Sequence, residues 1–362
     1  MKKLIALIAS LLFLLPAAGG CAPDKPEESP GNNLPFDEPL EHAFNYCPSV
    51  IQEEDGTRYV YYCANKVSGV IQDHIYCRKG TVNAKGGYSW SEKTLVLAPT
   101  FGNFDAFHCC DPTVIEGAFR YRGTDYKYLM AYTGNTSNIN NKVGLAFSND
   151  LMSGWVSMDE PFITYDGDKT HWGVGQPALL SVDCQGTVLL LYAVGGTATY
   201  MMAETWDLSD MSEPKRLGAA QITHRGLTSL TGGADYLNNA DIAFDPATRR
   251  YYFVSDCHPY PTDGDPLFVS DSFRVTYLGE AGGIGDLFES ALSQAGKSWM
   301  NLATVGEAET GFKRNSNCGI VRDSFGYLPN PDEIEILYSM SELGGQYEWT
   351  YRIYAHTLSI EE

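Results

Sequence analysis

Cys109-Cys110-Asp111-Pro112-Thr113-Val114-Ile115 decides the fold, because its order of a polar residue, a proline, a small residue and two apolar residues returns in degraded form four more times. Cys47-Pro48-Ser49-Val50-Ile51, Gln176-Pro177-Ala178-Leu179-Leu180, Ala240-Asp241-Ile242-Ala243-Phe244 and Asn317-Cys318-Gly319-Ile320-Val321 are the other copies. Their starts lie about 64, 65, 64 and 77 residues apart, a period that belongs to stacked or radial units. Short aromatic and β-branched runs follow each copy. Tyr59-Val60-Tyr61-Tyr62 and His74-Ile75-Tyr76-Cys77 follow the first, and Tyr251-Tyr252-Phe253-Val254 and Leu267-Phe268-Val269-Ser270 follow the fourth. Gly, Asn and Asp separate the runs, which marks strands joined by turns. Helical periodicity is nearly absent, and only Gly285 to Ala295 reads as a short helix. The pattern predicts an all-β chain, a five-bladed β-propeller over residues 40–362.

The 362 residues carry 25 basic against 45 acidic side chains, a formal net charge of −20 with a pI near 4.7. That balance disfavours nucleic acid and anionic surfaces as partners, so no nucleic acid is expected, and it leaves neutral or cationic ligands. Met1-Lys2-Lys3, an apolar run from Leu4 to Leu15 and Ala18-Gly19-Gly20-Cys21 follow the charged, apolar and small-residue order of an export leader. The stretch resembles a bacterial lipoprotein signal over residues 1–21, which implies a lipidated Cys21 and a membrane partner through that anchor. Residues 22–39, rich in Pro, Glu, Asp, Ser and Asn, read as a flexible tether. Asp24, Glu27 and Glu28 resemble the surface-export signal of some Gram-negative lipoproteins, so the expected location is the outer membrane, facing out. The eight other cysteines lack the spacing of a zinc motif and sit mostly in apolar runs. They read as buried small hydrophobes with one or two disulfides.

In a meandering blade the first strand starts on one face of the disc, and the loop between the second and third strands returns to it. By that geometry Asn45, Cys47, Asp111, Gln176, Asn239 and Asn317 ring a central funnel, with His108, Trp172 and His258 on loops above. Funnels lined by a few polar groups and aromatics are ordinary ligand sites. Closing the ring requires the two end blades to meet, and the segment from Leu40 to Phe44 is expected to dock along the last one.

The Asp-Pro-Thr-Val-Ile opening and the ending Gly144-Leu145-Ala146-Phe147-Ser148-Asn149-Asp150-Leu151 resemble the family 43 glycoside hydrolases and their relatives, over about residues 44 to 360. The resemblance implies hydrolysis of a neutral oligo- or polysaccharide with a base, an auxiliary and an acid carboxylate opening the first three blades. Only the auxiliary position keeps its acid, Asp111; Cys47 and Gln176 occupy the other two. Agarase-related members use a His as acid, a role that His258 or His108 could take from the funnel; catalysis is expected at Asp111 and His258, and ligand contact, from the funnel geometry, at Asn45, Cys47, His108, Trp172, Gln176, Asn239 and Asn317. A second reading stays open, a glycan-binding propeller that has lost catalysis. No cofactor is expected. An axial metal ion, found in several relatives, has no ligands assigned to it here.

Overall fold

The structure is a computed structural model that describes residues 44–66, 70–278, 298–344 and 350–360. The leader, Cys21, the tether and the stretch from Gly285 to Ala295 lie outside the described residues. The chain is all-β. The first antiparallel meander is β1 (Tyr46–Gln52), β2 (Arg58–Asn65) and β3 (Asp73–Val82), with β4 (Tyr88–Trp90) and β5 (Thr94–Leu97) both pairing β3. The second is β6 (His108–Tyr121), β7 (Thr124–Asn135), β8 (Lys142–Ser148) and β9 (Val156–Ser157). The third is β10 (Gly173–Ser181), β11 (Thr187–Gly195), β12 (Thr199–Asp207) and β13 (Lys215–Gln221). The fourth is β14 (Asp241–Asp245), β15 (Arg250–Asp256), β16 (Phe273–Leu278) and β17 (Trp299–Val305). After the one-turn helix α1 (Glu307–Thr310) comes the last, β18 (Arg314–Arg322), β19 (Glu333–Ser341) and β20 (Arg352–Ser359).

Strand patterning explains how the meanders associate. In β2 every residue from Arg58 to Asn65 is buried, because both faces of the strand are covered. Tyr59 and Tyr61, with Ile51, Ile75 and Cys77, pack against the second meander through Val114, Met130 and Tyr132. Val60, Tyr62 and Ala64 point the other way, onto Val321, Leu337 and Ile353 of the last meander. Further clusters join the second meander to the third, the third to the fourth and the fourth to the last. The packing therefore runs around a ring, and the period of two along each strand decides which neighbour a side chain meets.

The ring closes through backbone as well as side chains. β1 pairs with β18 in parallel, Val50 opposite Val321 and Ile51 opposite Arg322, which fuses the first and last meanders into one sheet. At the start of the described chain Phe44 stacks on Tyr351, ring centroids 5.0 Å apart, and the Asn45 N–H donates to the Tyr351 carbonyl. Closure at this seam thus combines a hydrogen-bonded strand pair with an aromatic contact. At the hub, Arg322 is 1% exposed. Its guanidinium donates to the carbonyls of Leu179 (2.9 Å) and Ile242 (2.7 Å) and to Thr113 Oγ1 (3.2 Å), and pairs with Asp241 at 3.2 Å. One side chain of the last meander thereby ties together the innermost strands of three others.

One strand expectation is corrected. Leu267-Phe268-Val269-Ser270 is not a strand; the third strand of its meander is β16, further along. Pro266 has no N–H to give a ladder. The Ser270 hydroxyl lies 2.8 Å from the Cys257 carbonyl oxygen and 2.7 Å from that of Ser272, with one proton to give to either, and holds the chain in a turn before pairing begins.

Candidate functional site

Each of the five meanders opens on one residue in the left-handed region: Cys47 (φ 50), Asp111 (φ 50), Gln176 (φ 51), Asn239 (φ 47), just before the fourth motif, and Asn317 (φ 50). In four meanders the pairing register slips there, between Tyr46 and Ser49, Cys110 and Thr113, Gly175 and Ala178, and Ser316 and Gly319. A β-bulge with one residue in that conformation bends the strand and re-aims a side chain. Left-handed backbone costs a non-glycine residue free energy, and such costs concentrate where a site needs the geometry. All five residues line a narrow central cavity of about 40 Å³, with Asp241 and Thr113 beneath them.

The bulges are latched between neighbours. The Asp111 N–H donates to Cys63 Sγ (3.0 Å), that of Gln176 to Thr133 Oγ1 (2.7 Å), that of Asn317 to Asp256 Oδ1 (3.1 Å) and that of Cys47 to Ser339 Oγ (3.2 Å). Every acceptor sits on the second strand of the preceding meander, so the ring geometry depends on the assembled propeller. Cys63 is also joined to Cys110 by a disulfide, 47 residues apart in sequence. Among the described residues the other cysteines are free, and Cys77, Cys109, Cys257 and Cys318 are buried.

Above the ring the funnel widens into two lobes of about 400 and 340 Å³ that share Phe44, Tyr46, Trp172, Gln176, Phe268 and Asn317. One lobe is walled by Tyr260, Val269 and Tyr351. The other is polar, with Asp73, His108, Asp111, Asn135 and Asn138. Trp172 lies close against two glycines: a Cβ on Gly195 or Gly175 would come within 2.9 or 3.0 Å of the indole. Those glycines let the ring lie flat while it lines both lobes.

Two residues missed by the sequence reading complete the polar lobe. Asp73 Oδ2 accepts from the Tyr46 hydroxyl (3.0 Å) and lies 2.8 Å from His108 Nδ1, while His108 Nε2 is 3.2 Å from Asn138 Oδ1. Neither Asp73 nor Tyr46 belongs to a repeated motif, so no local signal marked them. Alternation along the chain entering β1 explains the correction at Asn45. Phe44 and Tyr46 face the funnel, whereas Asn45 is 1% exposed and lines neither lobe nor the central cavity.

His258 is likewise placed behind the funnel wall. Its Nδ1 is 2.8 Å from Asp235 Oδ1, Asp235 also pairs with the buried Arg274, and the ring stacks on Tyr236 at 4.0 Å. Burial lowers its pKa. Tyr260, two residues on, takes the funnel position instead.

Burial dominates the electrostatics of the ring. It pushes the Asp111 carboxyl above the usual range, against hydrogen bonds from Cys47 and Thr133 that pull it down. Cys47 is raised well above an ordinary thiol, first by burial and then by the Asp111 charge, so it stands as a neutral S–H donor to that carboxylate. Asp256, holding Asn239, Ser316 and Asn317, is raised by burial as well. Gln176 Oε1 and Asn239 Oδ1 are buried with no protein partner. With Asp111 they would offer an axial ion three oxygen donors, the donor chemistry that a hard cation takes.

No protein-family model matches the sequence, and no curated protein does. Solved structures match over most of the chain. A thermostable family-43 glycoside hydrolase aligns with TM-score 0.55 at 12% identity, covering 88% of this chain and 90% of that one. The α-L-arabinofuranosidase of Podospora anserina, solved with cellotriose, aligns with TM-score 0.53 at 12% identity over 91% and 93%. A family 117 glycoside hydrolase from the marine bacterium Zobellia galactanivorans gives 0.54 at 11% over 87% and 84%. The chain therefore has the fold of the β-propeller glycoside hydrolases.

Proposed function

We propose that the funnel binds a neutral saccharide and hydrolyses one of its glycosidic bonds, with Asp111 and the Asp73–His108 pair as the reacting groups. The observation that carries the reading is that Asp73, His108 and Asp111 line one lobe of an aromatic-walled funnel. Hydrolysis with two carboxyl groups needs one as proton donor and one to take a proton from water. Burial favours the neutral form of Asp111, which suits it to donate. Asp73, oriented by Tyr46 and His108, supplies the second group. Phe44, Tyr46, Trp172 and Phe268 offer the flat apolar surfaces on which sugar rings rest, and the amides of the ring match hydroxyl groups. A neutral ligand also suits the chain's negative charge.

The loss of carboxylates at Cys47 and Gln176 favours a second reading, saccharide binding without turnover. One experiment separates them. A panel of neutral glycans is screened for binding by calorimetry and for release of reducing ends, with Asp111→Asn alongside. Hydrolysis predicts release that falls by about 10²-fold or more in the variant while binding persists. Binding with no release from any ligand establishes the second reading, and release unchanged by Asp111→Asn removes Asp111 from the mechanism.

A further inference from the structure

Three sulfurs and a carboxylate converge at the floor of the polar lobe. Cys47 Sγ, Cys63 Sγ, Cys110 Sγ and an Asp111 carboxylate oxygen all lie within 4.8 Å of one another. The disulfide Cys63–Cys110 staples the first meander to the second, and that role does not require the third sulfur, Cys47, which is a free thiol. We infer that the cluster is a redox-gated site for a soft divalent metal ion such as Zn²⁺: the disulfide keeps it closed, and reduction opens a donor set of three cysteines and one aspartate.

Zinc takes sulfur at about 2.3 Å and carboxylate oxygen at about 2.0–2.2 Å in a tetrahedron, which sets neighbouring donor atoms roughly 3.4–3.8 Å apart. Donor atoms within 4.8 Å of one another are already close to that spacing. The groups around the sulfurs also suit thiolates. The Asp111 N–H points at Cys63 Sγ from 3.0 Å, and the Tyr46 hydroxyl lies 3.1 Å from Cys110 Sγ; such outer contacts orient metal ligands. Cys47, Cys110 and Asp111 line the polar lobe, which provides the entry path.

The redox step balances with a phosphine as reductant. Two electrons from phosphorus break the S–S bond, water supplies the two protons that make the thiols, and its oxygen ends on the phosphine oxide. Zn²⁺ then displaces the protons of Cys47, Cys63 and Cys110 to solvent. The inference stands apart from the proposed saccharide chemistry, although a bound metal would occupy Asp111 and withhold it.

The test compares the full chain in its oxidised form with the same chain reduced by a water-soluble phosphine that is then removed without air. Each is equilibrated with Zn²⁺, passed through gel filtration and assayed for zinc. Co²⁺ in parallel reports sulfur ligation through thiolate-to-metal charge-transfer absorption. The reduced chain is expected to hold about one zinc and the oxidised chain almost none, with the cobalt band present only after reduction. Cys47→Ser leaves the disulfide intact and should weaken binding by the reduced chain about 10- to 100-fold. Circular dichroism covers the case in which reduction loosens the fold. Recovery of the native spectrum on adding zinc supports the site, and a melted chain that zinc does not restore refutes it. Equal zinc in both redox states, binding undiminished in Cys47→Ser, or zinc uptake without a cobalt charge-transfer band would also overturn it.

Discussion

Asp111 concentrates the residue-scale physics. Its pKa is raised in the folded state because burial penalises the charged form. The folded chain therefore holds that proton more tightly than the unfolded chain, and stability falls as pH rises from the ordinary carboxylate range, about 4, through the raised value. Asp241 and Asp256 are shifted the same way by burial. Asp111→Asn removes the group whose ionisation burial penalises, so thermal denaturation at pH 7 should show a melting temperature about 2–4 °C higher than the parent. The difference should shrink toward pH 4. A variant that melts lower at pH 7 would show that hydrogen bonds from Cys47 and Thr133 outweigh the burial cost. Stability given up at the carboxyl proposed to react is the trade expected of a functional site. Asp111 was legible in the sequence because its motif is local. Asp73 was not, because only pairing of β3 beside β2 and approach of β6 bring it to the funnel.

At the scale of elements, the seam between β1 and β18 is the place where the ring can fail. A Cβ on Gly319 would meet the Pro48 carbonyl oxygen at 2.0 Å, so the two strands approach as closely as they do only because that position has no side chain. Gly319→Ala should cost about 1–3 kcal/mol in urea denaturation through overpacking. Gly87→Ala, whose new Cβ would meet nothing closer than 3.6 Å, should change stability by about 0.5 kcal/mol or less. Equal effects of the two would mean that the seam yields freely. The element-scale reading from sequence missed Leu267 to Ser270 for a related reason. Its apolar, β-branched character suits a strand, but here that character serves the funnel rim, with Phe268 60% exposed and Val269 packed on Phe44 and Tyr351.

The whole molecule is held at its axis by a charge that no single meander could bury. Arg322 satisfies carbonyls of the third and fourth meanders and a hydroxyl of the second, and pairs with Asp241. Arg322→Met leaves Asp241 buried without its cation and strands two carbonyl acceptors, for an expected loss of about 3–5 kcal/mol. Arg322→Met with Asp241→Asn should recover part of that loss, because the uncompensated charge is gone. Denaturant titrations of the two single variants and the double variant measure the coupling. Additive losses would show that the ion pair contributes nothing beyond the separate hydrogen bonds.

The sequence by itself determined the repeat, the all-β class and the ring of Cys47, Asp111, Gln176, Asn239 and Asn317. Those features follow from short-range rules: period-two strands, turn residues and a recurring strand opening that returns one side chain to the axis in every unit. Tertiary structure alone decided that Tyr46 and Asp73 enter the funnel, that His258 turns away onto Asp235, that Cys63 and not another cysteine meets Cys110, and that Arg322 crosses the hub. Each of these depends on contacts between residues far apart in the chain, as Arg322 and Thr113 are, 209 residues apart. Local preference does not encode which distant partner a side chain will meet. The closing of the ring, through the β1–β18 pair and the packing of each meander on the next, selects it.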